Sequence, residues 1–134
     1  MKNIGRDSPS LEDYLETIYF LSSDGMVRMT DISIRIGVSK ASVSRALGIL
    51  EERGYISHRR YGTISLTEAG IERATEISHR HELFKTFLTK LLCVDEENAE
   101  NDACRMEHAV SAITVSKLEE FLKNFENKDR KSID

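Results

Sequence analysis

The chain has 134 residues, 40% hydrophobic and 31% charged, and its 19 Lys and Arg residues against 23 Asp and Glu residues give a formal net charge of −4. That length buries about 68% of the unfolded surface without a disulfide framework, and the two cysteines, Cys93 and Cys104, form no CxxC pair. No apolar run approaches the ~20 residues of a membrane-spanning helix and no secretion signal begins the chain, so we expect a cytoplasmic protein.

Three helices and a hairpin are predicted in the first half of the chain. Apolar residues recur at helical spacing over residues 11–21, 32–36 and 43–50. Residues 55–60 and 63–66 are predicted as two short strands around a Tyr-Gly turn. The caps and stop signals that bound the three helices are Ser8-Pro9, Thr30, Gly37, Ser39 and Gly54.

The second half is predicted to be helical. A pattern of about 25 residues runs from Thr67 to Leu91 without proline, which suggests a linker helix that also packs against something, such as a second subunit. A further helix is expected to begin around residues 95–98, and a last one to cover Val115–Phe125. Cys93 is expected in the core, and the polar tail 126–134 is expected to be frayed or disordered.

The order of elements in the first half is that of a winged helix-turn-helix, and its charge suits DNA. Between Arg28 and Arg60 there are seven basic and three acidic residues, a balance of +4 that leaves −8 for the rest of the chain. Short side chains at the start of the third helix let its backbone approach a major groove, and flanking cations can neutralise phosphates. The candidate DNA-binding residues are Thr30, Ser39, Lys40, Ala41, Ser42, Ser44, Arg45, Arg59 and Arg60. The alternative is that the Ser and Thr residues only cap helices and the arginines are solvated charges.

A candidate metal motif lies in the acidic second half. Cys104, Glu107 and His108 stand at i, i+3 and i+4, on one face of a helix, and their side chains are ligand types for a transition metal. His81 falls in the apolar stripe of the long helix. It is interpreted either as a metal ligand or as a neutral core histidine. In the alternative interpretation, Cys104 is a small buried hydrophobe and the Glu-His pair is helix surface.

Catalysis is not expected, and we predict a regulator rather than an enzyme. His81-Glu82 begins like HExxH, but Lys85 stands where the second histidine would be required. No nucleophile elbow or phosphate-binding loop is present in the sequence.

Several separated motifs resemble the diphtheria toxin repressor/manganese transport regulator (DtxR/MntR) family, over about residues 8 to 125. They are the first-helix segment Pro9-x-Leu11-Glu12-Asp13-Tyr14-Leu15-Glu16-x-Ile18-Tyr19, Asp31-Ile32 through Val38-Ser39-x-x-Ser42-Val43, Leu66-Thr67-x-x-Gly70, Arg80-His81-x-Leu83 and Asp102-x-Cys104-Arg105-x-Glu107-His108.

The resemblance implies a mainly α fold with a small β-hairpin. It implies a winged helix-turn-helix DNA-binding domain (residues 1–70) and a helical metal-binding and dimerisation domain (residues 71–134), without the SH3-like third domain of iron-type members. The implied function is a homodimeric, metal-dependent repressor of metal-homeostasis genes that binds a pseudo-palindromic operator. By motif match, the implied metal ligands are Asp13, Glu16, His81, Cys104, Glu107 and His108, with Glu100 as a candidate ancillary ligand.

The resemblance is mixed on the metal. Cys104 agrees with the iron-type members, Asp13 agrees with the manganese type, and Lys85 stands where iron-type members carry an ancillary glutamate. Asp13 and Glu16 are also explained as favourable acidic charge in the first turns of a helix. Oxygen ligands favour Mn²⁺, which we prefer over Fe²⁺, and Zn²⁺ or Co²⁺ can bind in vitro. The rival functions are a metal-independent winged-helix regulator that responds to an organic ligand, and a metalloenzyme.

Overall fold

The structure is a computed structural model that describes residues 9–58 and 62–133, and for residues 129–133 it describes the backbone only. The helices are α1 (Leu11–Ser22), α2 (Met29–Ile36), α3 (Lys40–Glu52), α4 (Glu68–Thr86) with a π-helical turn after it (Phe87–Leu91), α5 (Glu96–Ala109) and α6 (Ala112–Ile133). The strands are β1 (Val27–Arg28), β2 (Ile56–His58) and β3 (Thr63–Leu66). None of the helices in these ranges combines the length and apolar character that a bilayer crossing requires.

The chain divides into two compact units, the first ending at Glu76 and the second beginning at Ile77. The first unit has the predicted winged helix-turn-helix order, and its core lies between α1, α2, α3 and the sheet. The side chains that form this core are 3% exposed or less: Leu15, Ile18, Val27, Ile32, Val43, Leu47, Leu50, Ile56 and Ile64.

The sheet of the first unit has three antiparallel strands in the order β1-β3-β2. The predicted hairpin is present as β2 and β3, with Ile56 opposite Leu66. A third strand, β1, was not predicted, because two residues are too short to show an alternating pattern. Its Val27 pairs with Ile64 and buries one more apolar side chain at the sheet.

Two predicted helix starts are wrong. Helix α1 is capped by Ser10 rather than Ser8, because the Ser10 hydroxyl accepts from the Asp13 N–H (3.1 Å) and the Asp13 carboxylate accepts from the Ser10 N–H (2.9 Å). Helix α2 is capped at Arg28, whose N–H donates to the Asp31 carboxylate (3.0 Å), so Thr30 lies inside the helix. In both helices an aspartate at the third helical position reaches back and sets the start.

The junction between β3 and α4 is held by Thr67 and Gly70. As predicted, Thr67 caps α4: its hydroxyl accepts from the Gly70 N–H (3.0 Å) and donates to the Gly54 carbonyl (2.6 Å). The Thr67 N–H donates to the Tyr55 carbonyl (3.0 Å). A Cβ on Gly70 would overlap that same carbonyl oxygen and lie 3.0 Å from its carbon. Only glycine fits here without moving the backbone.

The second unit contains the end of α4, the π-helical turn, α5 and α6. Its core contains Phe84, Ala103 and Val115, with Leu83, Met106, Val110 and Leu118 packed against them. The tail that was expected to be frayed or disordered is helical as far as the structure describes it. Helix α6 begins at Ala112 and continues to Ile133, through Glu, Lys and Arg residues with good helix propensity and without Gly or Pro. Cys93 is exposed rather than buried, with φ +58° just after the π-helical turn.

Candidate metal centre and nucleic-acid interface

Helix α5 carries four candidate ligands on one face, since Glu100, Cys104, Glu107 and His108 are spaced at i, i+4, i+7 and i+8. The helix begins where predicted, because the Asp95 carboxylate accepts from the Asn98 N–H at 3.0 Å and caps its first turn.

His81 on α4 connects these α5 residues. It is 8% exposed, its Nδ1 lies 2.8 Å from Glu107 Oε1, and its Nε2 lies 3.0 Å from Glu100 Oε2. One ligand atom each of His81, Glu100 and Cys104 lies within 4.8 Å of the other two. The structure therefore brings together three of the predicted ligands at a separation that a single cation can bridge.

The protonation of His81 is set by these neighbours. Hydrogen bonding to Cys104, and then to Glu107 and Glu100, raises the pKa of His81 to about 11 against the opposing effect of burial. The metal-free site thus holds a proton on His81, and a metal that binds this imidazole has to displace it.

Glu107 shows that the residues fit a cation. Its side chain is fully buried, and only Oε1 is hydrogen-bonded, to His81. Within the described part of the chain Oε2 has no hydrogen-bond partner, and His108 Nε2 lies 3.2 Å away, within ion-pair distance. A buried carboxylate oxygen that makes no hydrogen bond costs about 1–3 kcal/mol, and a metal ion is a partner that would remove this cost.

A lysine adjoins the same group. Lys85 Nζ lies 2.8 Å from Glu96 Oε2 and 3.1 Å from Glu100 Oε1. Hydrogen bonding to Glu96 and then to Glu100 raises the pKa of Lys85. Burial acts to raise the pKa of Glu100, but hydrogen bonds from His81 and Lys85 outweigh it and lower that pKa. In the sequence, Lys85 stands out only because it replaces a histidine of one motif and a glutamate of another, and its contacts with Glu96 and Glu100 were not predicted.

Arg80 was not singled out as a site residue. From α4, its Nη1 donates to the carbonyl oxygens of Glu107 (3.1 Å) and Val110 (3.3 Å). These are carbonyls of the last turn of α5 and its cap, where a cation is favourable. Arg80 thus holds the end of the helix that carries Glu107 and His108.

Asp13 and Glu16 lie on α1 in the first unit, and both are partly buried. Asp13 serves in the capping box with Ser10, so the structure supports its alternative explanation as an N-terminal capping acid. A role of either residue as a metal ligand stays a prediction.

The predicted DNA-reading helix is α3. Ser39 caps it by accepting from the Ser42 N–H (3.1 Å), and Gly37 takes the predicted left-handed conformation, with φ +82°. Most of the predicted DNA-binding side chains on α2, α3 and the α3 cap are exposed, with Ser42 intermediate; the exposed ones are Thr30, Ser39, Lys40, Ala41, Ser44 and Arg45. Arg59 and Arg60 lie outside the described residues.

Comparison with known proteins gives two domain matches. Residues 8–64 match the N-terminal DNA-binding domain of iron-dependent repressors, and residues 67–132 match their metal-binding and dimerisation domain. An HTH-type transcriptional regulator of Methanocaldococcus jannaschii, described as uncharacterised, is 34% identical over 123 residues, 90% of this chain and 98% of that protein. The HTH-type transcriptional regulator MntR of Bacillus subtilis is 32% identical over 128 residues, 95% of this chain and 89% of that protein.

The fold is also similar to a solved structure of the manganese regulator SloR. The TM-score is 0.78 at 29% identity, and the match covers 87% of this chain. It covers 55% of SloR, so the chain spans about half the length of this structural relative.

Proposed function

Because the chain belongs to the DtxR/MntR family of metal-dependent transcriptional repressors, we propose that it represses genes of metal-ion homeostasis and binds their operators when Mn²⁺ or Fe²⁺ is bound. The observation that carries this proposal is the buried Glu107 carboxylate, whose Oε2 lacks a hydrogen-bond partner among the described residues and lies beside His108.

The proposed ligands from the second unit share an N, O and S donor set, with Glu100 as an ancillary member: His81, Cys104, Glu107 and His108. The geometry of α4 and α5 supports them, since His81 contacts Glu107 directly and lies in one group with Glu100 and Cys104. The family resemblance, rather than a measured distance, supports Asp13 and Glu16 as additional ligands from α1.

The proposed mechanism follows from the charges of these residues. Asp13, Glu16 and Glu107 are all carboxylates, and like charges brought close together repel one another. A bound divalent metal supplies two positive charges that reverse the local field. With a metal in place, Asp13 and Glu16 would hold α1 in the arrangement of the DNA-binding state, and His81 would release its proton to solvent.

On DNA, each copy of α3 contributes the Ser39–Arg45 segment to the major groove, with Lys40 and Arg45 towards phosphates. A homodimer would present two such helices about one helical turn apart to a pseudo-palindromic operator. Binding through phosphates would weaken steeply as salt rises.

The test is a DNA titration with and without metal. A binding sequence is first selected from random duplex DNA in the presence of Mn²⁺, and affinity is then measured by fluorescence anisotropy with Mn²⁺, with Fe²⁺ under anaerobic conditions, and with chelator. We expect the metal to tighten binding about 5–150-fold, the usual range of coupling between linked sites. Equal affinity in metal and chelator would contradict the proposal.

His108→Ala separates this function from that of a regulator that responds to an organic ligand. We expect the variant to lose the metal response, whereas a metal-independent regulator would keep its DNA affinity. His79→Ala is the matched control, because His79 is an exposed α4 histidine that pairs with Glu119 and is not among the proposed ligands. The control should respond to metal like the unaltered chain.

Cys104→Glu tests the choice between metals. Replacing a thiolate with a carboxylate should shift the order of affinities towards Mn²⁺. Cys93→Ser is the control, because Cys93 is also exposed but lies outside the group. An unchanged metal order in Cys104→Glu would mean that Cys104 does not coordinate.

A further inference from the structure

Glu100 is shared between the candidate metal group and a lysine. Its Oε2 lies 3.0 Å from His81 Nε2, and its Oε1 lies 3.1 Å from Lys85 Nζ. The same ammonium lies 2.8 Å from Glu96 Oε2. Both oxygens of the Glu100 carboxylate are therefore engaged by groups of the protein itself.

The spacing of these residues makes the arrangement specific. Lys85 follows His81 by one helical turn on α4, and Glu100 follows Glu96 by one turn on α5, so the two pairs face each other as adjacent rungs. The Lys85 side chain is 26% exposed.

A divalent cation bound by His81, Glu100 and Cys104 would compete with this lysine. It would need an oxygen of Glu100, and it would stand close to a second positive charge that Glu96 and Glu100 hold in place. The three residues offer nitrogen, oxygen and sulfur donors. Such a set would suit Fe²⁺, Co²⁺ or Zn²⁺ if Lys85 no longer held Glu100.

We propose that Lys85 is a specificity-determining residue: its ammonium acts as a resident cation that occupies Glu96 and Glu100 and prevents the His81–Glu100–Cys104 group from taking a divalent metal ion of its own. The chain therefore binds one metal fewer than its ligand residues allow. This inference rests on the proposed function for the identity of the ligands, and it adds a residue that sets their metal capacity.

The experiment counts Co²⁺ bound to the full chain by isothermal titration calorimetry and by the sulfur-to-cobalt charge-transfer absorption that reports coordination by Cys104. Lys85→Gln should bind one equivalent more than the unaltered chain and gain charge-transfer intensity. Lys85→Arg should keep the original stoichiometry because it keeps the charge. Lys90→Gln, at an exposed lysine in the π-helical turn, is the control for loss of a charge.

A double variant assigns the extra metal to Glu100. Lys85→Gln combined with Glu100→Gln should return to the stoichiometry of the unaltered chain. Thermal unfolding of each variant distinguishes a purely structural role of Lys85 from control of the metal count. If Lys85 only joins α4 to α5, Lys85→Gln lowers the Tm and leaves the number of bound Co²⁺ ions unchanged. That result would overturn the proposal.

The two proposals fail separately. If the unaltered chain bound no metal, the proposed function would be refuted. In that case the role of Lys85 would be supported if Lys85→Gln bound one equivalent of Co²⁺, and it would be refuted if Lys85→Gln also bound none.

Discussion

Gly70→Ala should destabilise the first unit by about 2–4 kcal/mol. The new methyl would overlap the Tyr55 carbonyl oxygen and lie 3.2 Å from Leu66 Cδ2, so the backbone of α4 or of the β2 region has to move. Overpacking of this kind costs about 1–3 kcal/mol. The shift also disturbs the Thr67 cap and the bond from Thr67 N–H to Tyr55, about 1 kcal/mol each. Alanine recovers about 1 kcal/mol through its higher helix propensity.

The assay is urea denaturation of the full chain followed by far-UV circular dichroism, with Gly48→Ala as the matched control. Gly48 lies in the middle of α3, and a Cβ there would meet nothing within 4 Å. Gly48→Ala should therefore raise stability by about 1 kcal/mol, so the two substitutions should act in opposite directions. If Gly70→Ala proved as stable as Gly48→Ala, the explanation of Gly70 by its contact with Tyr55 would be wrong.

Two further predictions concern the metal centre. Arg80→Met should weaken Mn²⁺ binding about tenfold in a calorimetric titration, because the last turn of α5 loses the guanidinium that holds it, and Arg80→Lys should be intermediate; unchanged affinity in Arg80→Met would contradict this role. Because the pKa of His81 is raised to about 11, metal binding at pH 7.5 should release about one proton more in the unaltered chain than in His81→Ala, measured by calorimetry in buffers of different ionisation enthalpy. Metal affinity should accordingly rise with pH as long as the pH is below the pKa of His81. Equal proton release in the two proteins would show that His81 is not a ligand.

Much of the fold follows from local sequence signals. Three helix ends lie where they were predicted, at Ser39, Gly37 and Thr67. Each of these residues acts through a hydrogen bond or a backbone angle within a few residues of itself. The predictions of Ser8 and Thr30 as N-caps were wrong. Helices α1 and α2 begin instead where Asp13 and Asp31 accept hydrogen bonds from the backbone N–H three residues earlier. Strand β1 could not be predicted, since it exists only through its pairing with β3.

The candidate site divides in the same way. The face of α5 that carries Cys104, Glu107 and His108 follows from helical periodicity alone. The contacts of Arg80 and Lys85 with α5 depend on how two helices pack, which no spacing within either helix reveals. The buried Glu107 oxygen that makes no hydrogen bond likewise becomes visible only once the packing is known.

The π-helical turn at Phe87–Leu91 affects how this helix tolerates a change in length. Leu92 N–H donates to the Phe87 carbonyl five residues earlier, so the turn holds one residue more than an α-helical turn would. Loss of one residue within the turn could be absorbed by a return to α-helical geometry. Loss of one residue between Thr67 and His81 would instead rotate the imidazole by about 100° relative to the start of the helix. The helix can therefore lose a residue after His81 and keep its α-helical phase. A loss before His81 changes the orientation of this residue relative to the start of the helix.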